Sequence, residues 1–139
     1  HAIDLGIAMQ LTNIARDRAE DEANNRYYIP QDANQKDMTQ TDLVHMAATY
    51  YKSGLSGICY LPFAVRPAVM AAALIYKEIG QKILQNPEAA KTSRMVVSRR
   101  RKLMCALKGA LMAFLQQKPQ THDARLHQKI TNFPYTHEQ

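Results

Sequence analysis

Apolar positions recur with a helical period from the start of the chain. Ile3, Ile7, Leu11 and Ile14 are spaced by four, four and three, and nothing interrupts the pattern before Asn24-Asn25, so the first element is a helix from about Ile3 to Asn24. A polar loop containing Pro30 and the stretch from Gln31 to Gln40 follows. Thr41 or Asp42 then supplies a cap for a second helix that turns Leu43, Met46, Ala47, Tyr50 and Tyr51 inward. That helix crosses Gly54 and Gly57, where missing side chains let another backbone or a ligand come close, and it ends at Tyr60-Leu61-Pro62. Pro67 suits the first turn of a third helix, 67–86, with Val69, Ala72, Ala73, Tyr76, Ile79 and Ile83 on one broad face, and Asn86-Pro87 stops it. A last helix from about Ser98 to Gln117 presents Leu103, Ala106, Leu107, Ala110, Leu111 and Phe114 on one side. The pattern predicts an all-α chain, with residues 1–118 as one helical unit and 119–139 as a loosely ordered tail.

On a wheel of about 100° per residue, Gln10, Asn13, Asp17 and Asp21 form a polar stripe beside the apolar row of the first helix. Arg16 and Glu20 fall further out. The stripe is therefore predicted to lie nearer the interior than a solvent face would. Asn13, Asp17 and Asp21 follow one another at i, i+4 and i+8, about 6 Å apart, and like charges at that spacing repel unless a cation relieves them. Hard oxygens opposite a diphosphate are what Mg²⁺ asks for. The same residues also read as ordinary solvated acids paired with Arg16, Arg18 and Arg26, and the spacing alone leaves both readings open.

Composition narrows the classes. The chain has 139 residues, of which 46% are hydrophobic and 22% charged, enough for one modest core and too apolar for disorder. Cys59 and Cys105 lie in apolar stretches without metal-ligand spacing and read as buried thiols, and the five histidines form no ligand set. No run is long and apolar enough to span a membrane, and no secretory leader is visible. Charge is unevenly placed. Residues 1–40 hold seven acids and four bases, a net of −3, while residues 91–118 hold eight bases and no acid, a net of +8. Two such segments either neutralise each other across a cleft or form two separate surfaces. No nucleic-acid recognition module accompanies the basic run, so nucleic acid is not an expected partner.

The literal residues add more. The series from Gln10 to Asp21, Q-L-x-N-I-x-R-D-x-x-E-D, followed by Arg26 and the Tyr28-Ile29-Pro30 triplet, resembles the second aspartate-rich region of squalene and phytoene synthases. The resemblance continues through Tyr50–Gly80 and into the stretch around Arg94 to Leu103, and it is nearest to bacterial-type phytoene synthases. It implies the C-terminal part of an all-α isoprenoid synthase fold. It also implies Asp17 and Asp21 as Mg²⁺-binding catalytic residues with Asn13 as a further ligand, and Gln10, Arg16 and Glu20 as diphosphate-site residues. Tyr76 would sit near the reacting diphosphate, and Arg94 would bind its oxygens.

The implied activity is a carotenoid-pathway prenyltransferase that joins two geranylgeranyl diphosphates head to head into phytoene through a cyclopropyl diphosphate. The cofactor would be Mg²⁺, with Mn²⁺ as a substitute and no role for NADPH. Two alternatives stand beside it: a squalene or dehydrosqualene type of synthase using farnesyl diphosphate, and a non-catalytic member acting as an assembly scaffold. The expected setting is cytoplasmic, peripheral at the inner face of a membrane, next to other enzymes of the pathway. Two departures stand out. Arg18 replaces a small aliphatic residue after Asp17, and the family's earlier D-x-x-x-D helix has no counterpart before His1, so the chain alone is expected to be silent.

Overall fold

A computed structural model describes residues 1–28, 38–115, 122 and 125–128. Among them the chain forms only helices: α1 (Ala2–Ala23), α2 (Gln40–Ser56), a 3-10 turn (Ile58–Tyr60), α3 (Arg66–Gln85), α4 (Pro87–Thr92), α5 (Arg99–Leu115) and α6 (Arg125–Gln128). The part of the expected first loop at 29–37, the end of the expected last helix at 116–117 and most of the 119–139 tail lie outside the described residues. The core is built where α1, α2 and α3 meet, and α5 packs along α3.

α1 does not bury the row its isoleucines suggest. Its buried face is Asp4, Leu5, Ala8, Leu11, Thr12 and Ala15, whereas Ile3 is 65% exposed and Ile7 and Ile14 are half-buried at the core margin. The reason is close approach: a Cβ placed on Gly54 of α2 would sit 2.7 Å from the Leu5 backbone nitrogen, so α1 meets α2 along the face of Leu5, Ala8 and Ala15 and leaves its isoleucines at the side. Gly57 likewise accommodates the His1 side chain. Polar groups trapped in this seam are satisfied. The Ser53 hydroxyl donates to Asp4 at 2.5 Å, His122 Nε2 lies 2.8 Å from the same carboxylate, and Thr12 donates to the Ala8 carbonyl at 2.8 Å while facing the Tyr51 hydroxyl. Burial pushes the Tyr51 phenol up to about 12.

α2 begins slightly earlier than its polar residues suggest. Thr39, not Thr41 or Asp42, is the N-cap: its side chain accepts from the Asp42 backbone while the Asp42 carboxylate accepts from the Thr39 backbone, a reciprocal capping box. Leu43, Val44, Ala47, Tyr50 and Tyr51 are buried as the period implies, and Met46 packs at the margin. Pro67 sits in the first turn of α3, and the Arg66 guanidinium ties that turn back to the carbonyls of Leu61 and Cys59. Asn86-Pro87 ends α3, but Pro87 also opens α4, a short helix that the sequence pattern merges into a connection.

α5 carries its apolar row on the unexpected side. Cys105, Gly109 and Ala113 are its buried residues, with Gly109 so close to α3 that a Cβ there would meet the Ala71 backbone at 2.8 Å. Leu103, Leu107, Leu111 and Phe114 point outward and are each more than half exposed. Both cysteines are free thiols; Cys105 is buried, but Cys59 only partly. At the chain end, the Tyr50 hydroxyl donates to the Leu126 carbonyl at 3.0 Å.

Gly54 in the seam and Gly6 outside it predict opposite responses. Gly54→Ala forces Leu5 away and should cost about 1–3 kcal/mol. Gly6→Ala, inside α1 with nothing within 4 Å of its added methyl, should stabilise by about 0.5–1 kcal/mol. Urea unfolding of both variants reads the two signs, and a neutral Gly54→Ala would refute the close-packed seam.

Candidate active site

The C-terminal end of α1 is closed by a left-handed residue. Asn25 has φ 56°, a conformation that asparagine tolerates better than most residues, and it lets Asn25 N–H reach the Glu22 carbonyl and Arg26 N–H reach the Asp21 carbonyl at 2.8 Å. This turn reverses the chain over the end of α1. Arg26 and Tyr28 are thereby folded back beside the polar stripe.

The result is an open cleft of about 310 Å³ lined by Gln10, Asn13, Ile14, Arg16, Asp17, Glu20, Asp21, Asn24, Arg26, Tyr28 and Arg94. Seven of the eight residues singled out in the sequence meet there. Tyr76, on α3, does not line the cleft, but it is near enough to Arg16 to help raise the guanidinium's pKa. The stripe is not beside the buried face of α1, as the wheel predicts, but on the opposite side, because the small-residue face takes the core. Asn13, Asp17 and Asp21 are nonetheless half-buried, with Arg26, Tyr28 and Arg94 on the rim, whereas Gln10 is exposed.

Asp17 is the electrostatic centre. Arg16 donates to both its oxygens, Nε to Oδ1 at 2.7 Å and Nη2 to Oδ2 at 2.5 Å, and Arg94 Nε approaches Oδ1 at 2.9 Å. Arg94 also reaches Glu20 at 3.7 Å. The hydrogen bond from Arg16 holds the Asp17 carboxyl below the usual carboxylate range, aided by the charges of Arg16 and Arg94 and opposed by burial. Arg16 is correspondingly raised, chiefly by its bond to Asp17 and further by Tyr76. The acidic and basic segments therefore do meet across one cleft, through Arg94. The rest of the basic run does not join it: Arg101 pairs with Glu78 at 2.7 Å, and Arg99, Arg100 and Lys102 are exposed on α5.

Two oxygen groups of the α1 stripe differ from Asp17 in having no arginine on them. The Asn13 side-chain oxygen is buried and accepts no hydrogen bond, and among the described residues none pairs with the Asp21 carboxylate. No cluster of three or more His, Cys, Asp or Glu among the described residues has the geometry of a metal site. The available donors are instead two carboxylates and one carboxamide, an all-oxygen set of the kind a hard divalent cation accepts when phosphate oxygens and water complete its shell. Of this set the Asn13 oxygen is buried without a partner, Asp17 is held by two arginines, and Asp21 lies one turn beyond Asp17; the oxygen chemistry, rather than a ready-made cage, is what fits such an ion.

Arg18, the departure from the family pattern, does not enter the apolar seam. Its guanidinium donates to Glu22 at 2.6 Å and to the Met38 carbonyl at 3.2 Å, outside the cleft. Asn24, Arg26 and Tyr28 are lining residues that periodicity could not find, because they follow the helix. Arg26 and Tyr28 belong to the ordered motif, and the Asn24-Asn25 pair signals the chain reversal that brings them back, but neither assigns them to the cleft.

A squalene/phytoene synthase family profile matches residues 1–101. The chain belongs to the squalene/phytoene synthase family. It is similar to the phytoene synthase of Cereibacter sphaeroides, with 35% identity over 81% of this chain and 38% of that protein. It is similar also to the 15-cis-phytoene synthase of Enterobacter agglomerans, with 34% identity over 73% of the chain and 40% of that protein, and to a chloroplastic phytoene synthase of an Oncidium hybrid, with 34% identity over 74% of the chain and 29% of that protein. The chain thus spans well under half the length of these relatives. No solved structure matches it. The all-helical architecture agrees with membership of the squalene/phytoene synthase family, and no described helix is long and apolar enough to cross a membrane.

The depressed Asp17 pKa sets an acid limb. A carboxyl lowered by folding contributes stability above its unfolded pKa, about 3.9, and loses that contribution as pH falls through the folded value. In metal-free buffer the stability difference between wild type and Asp17→Asn should be flat near neutrality and shrink below about pH 4. Urea midpoints across that range measure it; a difference independent of pH would show that the two arginines do not stabilise the ionised form.

Proposed function

We propose that this chain forms one diphosphate-handling side of a phytoene synthase, which condenses two geranylgeranyl diphosphates head to head through a cyclopropyl diphosphate in carotenoid biosynthesis. The observation that carries this reading is the shared cleft, in which a row of side-chain oxygens from α1 faces an arginine delivered from the segment after α4. The names of the similar proteins support the choice of phytoene over squalene as the product class.

Asn13, Asp17 and Asp21 would hold Mg²⁺, or Mn²⁺ in its place. When bound, the ion offsets the charge of the diphosphate and makes it a better leaving group. The protein's own residues do the remaining work. Arg94, half exposed and attached by a single short contact to Asp17, is free to turn its other guanidinium nitrogens toward diphosphate oxygens. Arg16, gripped by Asp17 and backed by Tyr76, is the more fixed donor and sets where the anion settles. Gln10 and Glu20 line the entrance, Gln10 as a neutral donor and Glu20 as a counter-charge that holds Arg94 until an anion displaces it. Nothing in this chemistry consumes NADPH. Both the substrate and the product are greasy, so the working place is at the inner face of a membrane, in peripheral contact and close to the enzymes that use phytoene.

The test is a chimera in which this chain replaces the matched part of the Cereibacter sphaeroides phytoene synthase. It is assayed with geranylgeranyl diphosphate and Mg²⁺, and in parallel with farnesyl diphosphate. Asp17→Ala and Asp21→Ala should each reduce phytoene formation by about 10²-fold or more, the scale for removing one charged contributor to leaving-group stabilisation. Glu22→Ala, which removes only the partner of Arg18 outside the cleft, should have a much smaller effect. Equal activity in all three variants would sink the assignment, and turnover of farnesyl diphosphate alone would move the protein to the squalene side of its family.

A further inference from the structure

Gln40 is the first residue of α2, is 6% exposed, and has no part in the cleft. Its side-chain amide nitrogen donates two hydrogen bonds at once, to the Ala15 carbonyl of α1 at 2.7 Å and to the Ala90 carbonyl of α4 at 3.0 Å. Ala15 lies two residues before Asp17. Ala90 lies four residues before Arg94. A single carboxamide therefore clamps together the two backbone segments whose side chains meet as Arg94 and Asp17.

The rest of the hold on α4 is small, with Ala90 in the core and Met95 packed at its margin. α4 has only six residues, too few to hold its own place by helix propensity, and it carries one buried residue, Ala90. The segment that follows it is anchored downstream of Arg94, where Val97 enters the core and the Lys82 ammonium donates to the Val96 carbonyl at 2.7 Å. Upstream of Arg94 the anchors are the buried Ala90 methyl and Gln40 on the carbonyl of the same residue. A buried amide whose two protons both end on backbone carbonyls is also a rigid spacer, because losing either bond leaves a buried polar group without its partner.

We propose that Gln40 is a positioning residue of the diphosphate site: by bridging Ala15 and Ala90 it fixes the distance between the oxygen stripe of α1 and Arg94, and through Arg94 it sets the affinity of the cleft for a diphosphate. The binding part of this statement rests on the diphosphate reading given above, whereas the positioning of Arg94 does not.

The experiment is a double-mutant cycle on the full 139-residue chain. Binding of inorganic diphosphate in the presence of Mg²⁺ is measured by calorimetry for wild type, Gln40→Met, Arg94→Ala and the double variant. Gln40→Met keeps a similar volume and removes both donors. It should weaken binding by about fivefold to tenfold, and the double variant should bind no worse than Arg94→Ala alone, because neighbours acting through one contact are not additive. Losses that multiply in the double variant, or a Gln40→Met protein that binds like wild type, would overturn the proposal. The second readout needs no ligand: the Arg94 Nε–H signal in nitrogen-edited NMR should be protected from solvent exchange in wild type. It should lose that protection in Gln40→Met, and also in Gln40→Asn, which is too short to reach both carbonyls and serves if the methionine variant fails to fold. An unchanged Arg94 signal in the folded variant would refute the positioning role. If wild type binds no diphosphate but the Arg94 signal responds as described, the diphosphate reading fails and the clamp stands.

Discussion

The close approach of α1 to α2 is the constraint from which the rest of the architecture follows. Gly54 lets the α1 backbone come right up to α2 at Leu5, and this close contact, with Ala8 and Ala15 along the same face, fixes the rotation of α1 about its own axis. Rotation decides everything on the other side. With Leu5, Ala8, Leu11 and Ala15 turned inward, Gln10, Asn13, Asp17 and Asp21 must point away from α2, toward the side where the chain returns after α4. α5 repeats the logic against α3 through Gly109. In both helices the glycine selects closeness over bulk, and large apolar side chains are left on the outside.

On that scaffold the cleft is organised around repulsion that is only partly relieved. Asp17, Glu20 and Asp21 crowd the last turns of α1, and α1 has no basic residue in its last turn to complement the negative end of the helix. Arg16 and Arg94 neutralise Asp17, and Arg94 touches Glu20, but Asp21 and the Asn13 oxygen remain without partners among the described residues. Arg16 is the more buried member of the pair and Arg94 the more exposed one, so their exchange with solvent or with an anion is unequal. One holds the carboxylate in place while the other can let go. If the cleft works as proposed above, such asymmetry would let the exposed arginine turn to an anion while the buried one keeps the carboxylate in place.

Much of this was legible in the sequence, and the reasons for the rest are specific. The helices, the glycine approach at Gly54 and the cleft membership of Gln10, Asn13, Arg16, Asp17, Glu20, Asp21 and Arg94 follow from period, from missing side chains and from the ordered motif. The buried face of α1 did not, because its apolar arc is wide enough for two solutions, and the choice between Ile3 and Leu5 was made by Gly54 on another helix. The outer side of α5 escaped for the same reason, with Gly109 and Cys105 outcompeting Leu107 for the seam. Thr39 was missed as a cap because Thr41 and Asp42 stand so near it that composition cannot rank them, whereas reciprocal bonding can. α4 was hidden by Pro87, which reads as a stop although it is equally a start. Gln40 carries no signal at all in one dimension, since its importance lies in two carbonyls remote from it in sequence.

The left-handed Asn25 gives the mouth of the cleft a degree of independence from its charged floor. Because one backbone dihedral throws Arg26 and Tyr28 back over α1, exchange of Asn25 for glycine, aspartate or a bulkier residue would shift that wall while leaving the contacts of Arg16 and Arg94 with Asp17 in place. The rim and the ionic floor of the cleft can therefore vary separately. A short chain reversal is what separates the two.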